Sequence, residues 1–563
     1  MGLFSRKPKT PRPVTKDSAS FDSDNSHSNS FGANSNNKSV RSNTLNFSTN
    51  SRTSASSLGG LQSPLTPMTP HMPKINLPKP PDPSLDAAGY LRSLGAVRER
   101  CKVVTEKALQ NQLNHFDVDL EKFPDVVKFV CRIIKRDYDA PFHTIPGHGR
   151  YQHFGVGGRD RIAHLLSTFD AVDNTEKCRR LIDLFLVSVL LDAGAGTSWS
   201  FKSADSGKVY RRSEGLAIAS LEMFKAGLFS GNPSNKYQVD REGLRRLTVD
   251  QLAKGLQSRP GNEVAGLEGR AQLLIRLGDA LADKTDFFGE TARPGNMIDY
   301  LLAHPTTQAS SSPIVVLPVL WNVLMSGLAP IWPSSRTAIN GISLGDAWPC
   351  GTMPQAPPPP APSPPSSSSL PPSPPTFSPF PPPQPPPHHP SSGSSATTEP
   401  WESILPFHKL TQWLTYSLMQ PMTSLLRIQF AGTELLTGLP EYRNGGLFVD
   451  LGVLTLKRPD EERGLRHYAD YCRRVGASGV EVAPMFEPGD DVIVEWRGVT
   501  VGFLDKLCAD VNVALRPELN GGELTLAQLL EAGSWKGGRE IAEVSRPNTK
   551  EPPILIDSDG TVF

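Results

Sequence analysis

The chain has 563 residues and a formal net charge of +1, so nothing global pulls it toward nucleic acid or an anionic membrane surface. No apolar run approaches the ~20 residues of a membrane helix. Its six cysteines show no CxxC pair and no short His/Cys spacing, which argues against a disulfide framework or a zinc site. The expectation is a soluble cytoplasmic protein with free thiols, no metal, no cofactor, and neither nucleic acid nor membrane as partner.

The start, MGLFSRKPKT, lacks the apolar core of a secretory signal and has Arg6 where a myristoylation pattern needs Ser or Thr. Residues 1–82 are rich in Ser, Asn and Pro and poor in large apolar groups. Such a tail cannot bury enough surface to offset chain entropy, and disorder is expected. From 83 to 348 the spacing predicts helices: CRRLIDLFLVSVLLDAG is apolar all round, and SEGLAIASLEMFKAGLF opens with Ser213 as an N-cap. A second low-complexity block, 349–399, is more than half proline between Pro354 and Pro390. It favours polyproline II, excludes helix and sheet, and offers PxxP ligands to an SH3- or WW-type partner, or is simply a tolerated surface insertion. His388 and His389 within it have no fixed geometry for a metal. Helical spacing resumes over 400–563. Only DDVIVEWRGVTVGFL has β-branched, alternating character, and a helix competes even there. The fold class expected is mainly α: one compact multi-helix domain with few short strands, interrupted by the proline block.

No phosphate-loop or HExxH signature occurs. GHGRYQHFGVGGRDRIAHLL leads glycines into a helix start beside Arg159 and Arg161, which reads as an anion site or as a solvated glycine turn. His148 and His153 in it are acid/base candidates or hydrogen-bonding struts. LLDAGAGTSWSF ends an apolar helix on Asp192, a costly place for a lone carboxylate. Asp192 either satisfies its own turn or lines a polar pocket with Trp199, Arg212 and Glu214. LGDAWPC sets Asp346 beside Trp348, and PFHKLTQWLTYSL puts His408, Lys409 and Gln412 near one helix. In VEWRGVTVGFLDKL, Glu495 and Arg497 share a face in a strand but not in a helix. LPEYRNGGLFVDLGVL gathers Glu441, Tyr442, Arg443, Asn444 and Asp450 beside an apolar stretch. Its polar residues either solvate a helix start or converge on something small and polar.

These segments, with RRSEGLAIAS, RPGNMIDYL, GSWKGGRE and the ending SDGTVF, occur in an order that resembles the uracil catabolism protein 4 family. That resemblance implies use of uracil as a nitrogen source, by a route that passes through a ribosylated urea. EYRNGGLFVDLGVL followed by VEWRGVTVGFLDKL is also similar to the queuosine-salvage N-glycosidase family. That second resemblance implies a DNA-glycosylase-like helical architecture and cleavage of an N-glycosidic bond, with Glu441 at the family's acidic position before Tyr-Arg. Together they imply a hydrolase of a small ribosylated, pyrimidine-derived substrate or its phosphate. Glu441, Asp450 or Asp192 would act at the anomeric centre. Arg159, Trp199, Arg212, Glu214, Tyr442, Arg443, Asn444, His408, Glu495 and Arg497 would bind substrate. Two other readings stay open: a non-catalytic adaptor of the pathway, and an amidohydrolase of an opened pyrimidine ring.

Overall fold

The computed structural model describes residues 75–563 except 170, 193, 197–198, 310, 356–398, 477–480 and 558–563. Most of the expected disordered tail and of the proline block therefore lies outside the described residues, including the PxxP segments and both His388 and His389. Their flanks are described. Ile75 and Leu77 pack on the core rather than belonging to a solvated tail, because each finds an apolar surface to cover. Ala347–Pro349 pairs antiparallel with Ile404–Pro406, so the two ends of the proline block meet at a two-stranded ribbon. Closing a long segment on such a ribbon adds little entropy cost, since that cost grows only slowly with loop length.

The helices that frame the molecule are α1 (Leu94–Leu109), α2 (Phe123–Asp137), α3 (Asn174–Leu190), α4 (Arg212–Lys225), α5 (Leu267–Asp283), α6 (Leu317–Gly327), α7 (Lys409–Leu426), α8 (Tyr442–Asp450), α9 (Arg458–Val475), α10 (Asp491–Ala514) and α11 (Trp535–Ser545). Strands are two or three residues long and form only two-stranded pairs among the described residues. The fold is mainly α.

Helix α3 is central because it is apolar all round. Every residue from Leu181 to Leu190 is buried, and α4 and α7 pack against it. Each such leucine or phenylalanine, fully buried, stabilises by about 1.5–3 kcal/mol. The one carboxylate in that buried stretch, Asp183, is answered by Arg293 Nε at 2.5 Å and the Gly295 N–H at 2.7 Å. The β-branched run is helical: Val492, Val494, Val499 and Val501 are all buried in α10, which packs on α1 and α2. A β-branched residue costs a helix a few tenths of a kcal/mol, and burial on every side outweighs that. Helix α11 lies tight against α8: a Cβ at Gly538 would overlap the Arg443 carbonyl. No helix among the described residues is long and apolar enough to cross a membrane, and the six cysteines are free thiols.

Candidate active site

Six segments meet at one pocket: the short helix Arg150–Phe154, the turn after α3, and the N-terminal ends of α4, α7, α8 and α11. Its lining includes His148, His153, Asp192, Arg212, Ser213, Glu214, Lys409, Trp413, Glu441, Tyr442, Arg443, Trp535 and Arg539.

Arg150 organises the inner wall. It is wholly buried and donates to Ser188 Oγ (2.7 Å), the Ser188 carbonyl (3.0 Å), the Ser213 carbonyl (3.2 Å) and Asp192 Oδ2 (2.8 Å). Its Nη1 also lies 3.1 Å from His153 Nδ1. A guanidinium only donates, so His153 Nδ1 accepts and the ring proton sits on Nε2. Burial and the Arg150 charge hold His153 well below its ordinary pKa, so it is a neutral donor. Burial raises the Asp192 carboxyl above the usual range, with Arg150 opposing.

His148 Nδ1 stands 2.7 Å from Glu531 Oε2. The glutamate sits in a π-helical turn, Leu530–Ser534, a distortion often found at functional sites. Both imidazoles lie between two indoles, with His148 4.6 Å and His153 5.6 Å from Trp413, and 5.9 and 5.4 Å from Trp535.

Glu441 caps α8: its Oε1 accepts the Asn444 N–H at 2.7 Å and its Oε2 the Arg443 N–H at 2.9 Å. Burial nevertheless raises its pKa, opposed by Lys409. Lys409 is lowered by burial in turn, against the pull of Glu441 and Asp192. The charged run at Glu441–Asn444 thus does both things the sequence allowed. One residue closes the helix start, and its neighbours face the pocket.

The opposite rim is basic. Arg212 has φ +55°, a left-handed conformation that strains a non-glycine residue. Ser213 is therefore not the N-cap of α4: Arg211 holds that position without a side-chain cap, and Ser213 lines the pocket instead. Arg212 Nη2 donates to the Thr549 and Lys550 carbonyls, each at 3.1 Å, and Arg443 Nη1 to Lys550 at 3.1 Å. Arg539 pairs with Glu214.

Four buried atoms of this lining have no hydrogen-bond partner among the described residues: His153 Nε2, Asp192 Oδ1, Arg212 Nη1 and Trp413 Nε1. Buried polar atoms are normally satisfied, so four in one cavity mark a place for a polar ligand. No group of His, Cys, Asp and Glu among the described residues is arranged to hold a metal.

Of the residues singled out in the sequence, the pocket gathers Glu441, Asp192, Arg212, Glu214, Tyr442 and Arg443, together with His148, His153, Ser213 and Lys409. The others lie elsewhere. Asp450 forms a two-pronged ion pair with Arg546, at 2.8 and 2.6 Å. Arg159 is exposed and its guanidinium donates to the Asp205 carbonyl, while Arg161 is taken up by Asp205, two backbone carbonyls and Tyr210. Trp199 is a core residue whose Nε1 donates to the Leu256 carbonyl at 2.9 Å. Asn444 is buried behind Glu441 and donates to Leu439. His408 donates through Nε2 to the Leu91 carbonyl at 2.7 Å. Because their segment is helical, Glu495 and Arg497 point apart. Glu495 accepts the Asn114 and His115 N–H groups, and Arg497 grips Asp346 at 2.9 and 2.7 Å.

Trp413, Trp535 and Arg539 were not anticipated. A usable signal existed in the i, i+4 spacing of Lys409 with Trp413 and of Trp535 with Arg539, which puts each pair on one helix face.

The family model described as "Protein of unknown function (DUF1688)" matches residues 90–563. "Uracil catabolism protein 4" of Lachancea kluyveri is 41% identical over 480 residues, covering 84% of this chain and 98% of that protein. "Protein urg3" of Schizosaccharomyces pombe is 42% identical over 482 residues, covering 85% of this chain and all of that protein. Pocket and matched region coincide, and the chain belongs to the DUF1688 family and, with these relatives, to the family of uracil catabolism protein 4.

Proposed function

We propose that this protein acts in uracil catabolism as an N-ribosyl hydrolase, cleaving ribose from the nitrogen of a urea-type leaving group. The pathway part of the reading draws on the name of the Lachancea kluyveri relative. The chemical part is carried by one observation: four unpartnered polar atoms face a pocket that also holds carboxylates, a half-buried lysine and two indoles.

Breaking the bond leaves its electron pair on nitrogen and develops oxocarbenium character on the ribose. Water attacks the anomeric carbon, and its proton passes to a carboxylate. Asp192 takes that role in preference to Glu441, because Asp192 Oδ1 has no hydrogen-bond partner among the described residues while both Glu441 oxygens already hold backbone N–H groups. Glu441 contributes its negative field. Lys409, lowered by burial, is the acid that protonates the departing nitrogen. His153 Nε2–H and Trp413 Nε1–H orient the urea or ribose oxygens.

The test is mass-spectrometric product analysis of the purified full chain with ribosylurea and its 5′-phosphate. Release of urea is expected, with Asp192→Asn and Lys409→Met each losing about 10²–10⁴-fold while keeping the wild-type circular dichroism spectrum. A folded wild type that turns over neither compound would sink the reading.

A further inference from the structure

The pocket's charges are unevenly matched. Asp192 has Arg150, Glu214 has Arg539, and Glu441 has two backbone N–H groups. Arg212 and Arg443 have no carboxylate partner within ion-pair distance among the described residues. Both instead donate to neutral carbonyls of one turn, Thr549–Lys550. They stand close enough that the Arg443 charge adds to burial in lowering Arg212. Two guanidinium groups drawn together oppose each other, Glu551 offsets this only from beyond ion-pair distance, and the enclosed Arg212 Nη1 lacks even a neutral acceptor among the described residues.

The arrangement is also held in place. The Thr549 N–H and hydroxyl and the Asn548 N–H are fixed by Glu481, at 2.8, 2.5 and 3.1 Å. Lys550 itself has φ +58°, facing Arg212 at φ +55°, so strained backbone occurs on both sides of the contact. Strain of this kind persists where surrounding structure enforces it, and it clusters at ligand clamps.

We infer that Arg212 and Arg443 form a phosphate subsite, so that the substrate is a ribosyl compound bearing a phosphate monoester. A phosphate monoester carries about −1.5 to −2 charges at pH 7 and three acceptor oxygens, which matches two guanidinium groups better than a single carboxylate does. Only the word ribosyl rests on the hydrolase reading; the anion subsite stands on the arginines alone.

Isothermal titration calorimetry of the full chain tests it with four probes: inorganic phosphate, ribose 5-phosphate, ribose and acetate. Ribose 5-phosphate should bind at least about tenfold more tightly than ribose, the loss expected when charge-assisted hydrogen bonds are absent. Inorganic phosphate should compete with it, and acetate should not. Arg212→Gln and Arg443→Gln should each remove most of the preference, with Arg212→Lys restoring part of it. Equal binding of ribose and ribose 5-phosphate, or acetate competing as well as phosphate, would overturn the proposal. The wild-type ratio decides this even if a variant fails to fold. Tight, phosphate-dependent binding without turnover of any N-ribosyl compound would keep the subsite and end the hydrolase reading. Equal turnover of ribosylurea and its phosphate would do the reverse.

Discussion

Two buried charged clusters meet at Lys409, and they are built on opposite terms. On the core side, Asp346 accepts both prongs of Arg497, the Trp348 indole N–H at 2.8 Å and the Lys409 backbone N–H at 3.0 Å. Arg497 also donates to the Pro440 carbonyl and lies 4.0 Å over the Phe407 ring. Burial alone would raise Asp346, yet Arg497 and these donors hold it well below the usual carboxylate range. On the pocket side, four buried polar atoms have no partner among the described residues. Unpartnered atoms also occur singly in the core, at Trp496 Nε1 and His408 Nδ1, but here they share one cavity. The difference teaches how to sort buried charge. A satisfied cluster is architecture, and an unsatisfied one is waiting for a ligand. The first also serves the second, since Asp346 and Arg497 hold the backbone on which Lys409 and Glu441 are mounted.

The sharpest way to break this contrast is to remove one partner of the satisfied cluster. Asp346→Asn should destabilise the protein by about 3–5 kcal/mol in urea unfolding, because it leaves the Arg497 charge buried and poorly answered. Replacing both, Asp346→Leu with Arg497→Met, should cost less than the sum of the single changes, since no lone charge remains. A loss below about 1 kcal/mol for Asp346→Asn would mean that the cluster is not the architecture described.

A second satisfied cluster sharpens the contrast through pH. His115 lies between Asp460 (2.9 Å) and Asp491 (2.8 Å), at the start of α10. Burial would lower its pKa, but the two carboxylates outweigh burial and raise it to about 9. A histidine raised above its unfolded value near 6.5 stabilises fully below pH 6.5, and that stability is lost as pH climbs through 9. Allowing for partial solvent screening, about 2 kcal/mol should disappear over that window and be absent in His115→Gln. Unfolding midpoints that fall equally in both proteins between pH 6.5 and 9.5 would count against the clamp.

Much of the fold was legible because helical spacing and all-round apolarity are local properties. The central position of α3 follows from CRRLIDLFLVSVLL alone, and the helix at DDVIVEWRGVTVGFL was the one ambiguous element. The site was legible in part. Carboxylates and arginines beside glycine turns mark places where a backbone bends around polar groups, which picked out Asp192, Arg212, Glu214, Glu441, Tyr442 and Arg443. The same rule picked out Asp450 and Arg497, whose partners Arg546 and Asp346 are 96 and 151 residues away. Whether a polar atom is satisfied depends on such distant partners, and no local pattern contains that. Ser213 failed as a cap for a related reason: the left-handed turn at Arg212 is set by what its guanidinium reaches at Thr549 and Lys550.

The smallest expected effect is the most discriminating, because it compares two buried tryptophans of the same type. Trp413 and Trp199 are 3% and 0% exposed. The Trp199 indole N–H is satisfied by Leu256, whereas that of Trp413 has no partner among the described residues. Trp199→Phe leaves a buried carbonyl without its donor as well as a void, and should cost about 2–4 kcal/mol. Trp413→Phe leaves a similar void but also removes an unsatisfied donor, whose burial itself costs on the order of 1–3 kcal/mol. The two terms oppose each other, so Trp413→Phe should change stability by less than about 1 kcal/mol. Ligand binding should divide the pair the other way: Trp413→Phe weakens ribose 5-phosphate binding measured by calorimetry, and Trp199→Phe leaves it within about twofold while the protein stays folded. If Trp413→Phe is as destabilising as Trp199→Phe and binds as the wild type does, the Trp413 indole is packing, and an orphaned donor in this fold carries no information about ligands.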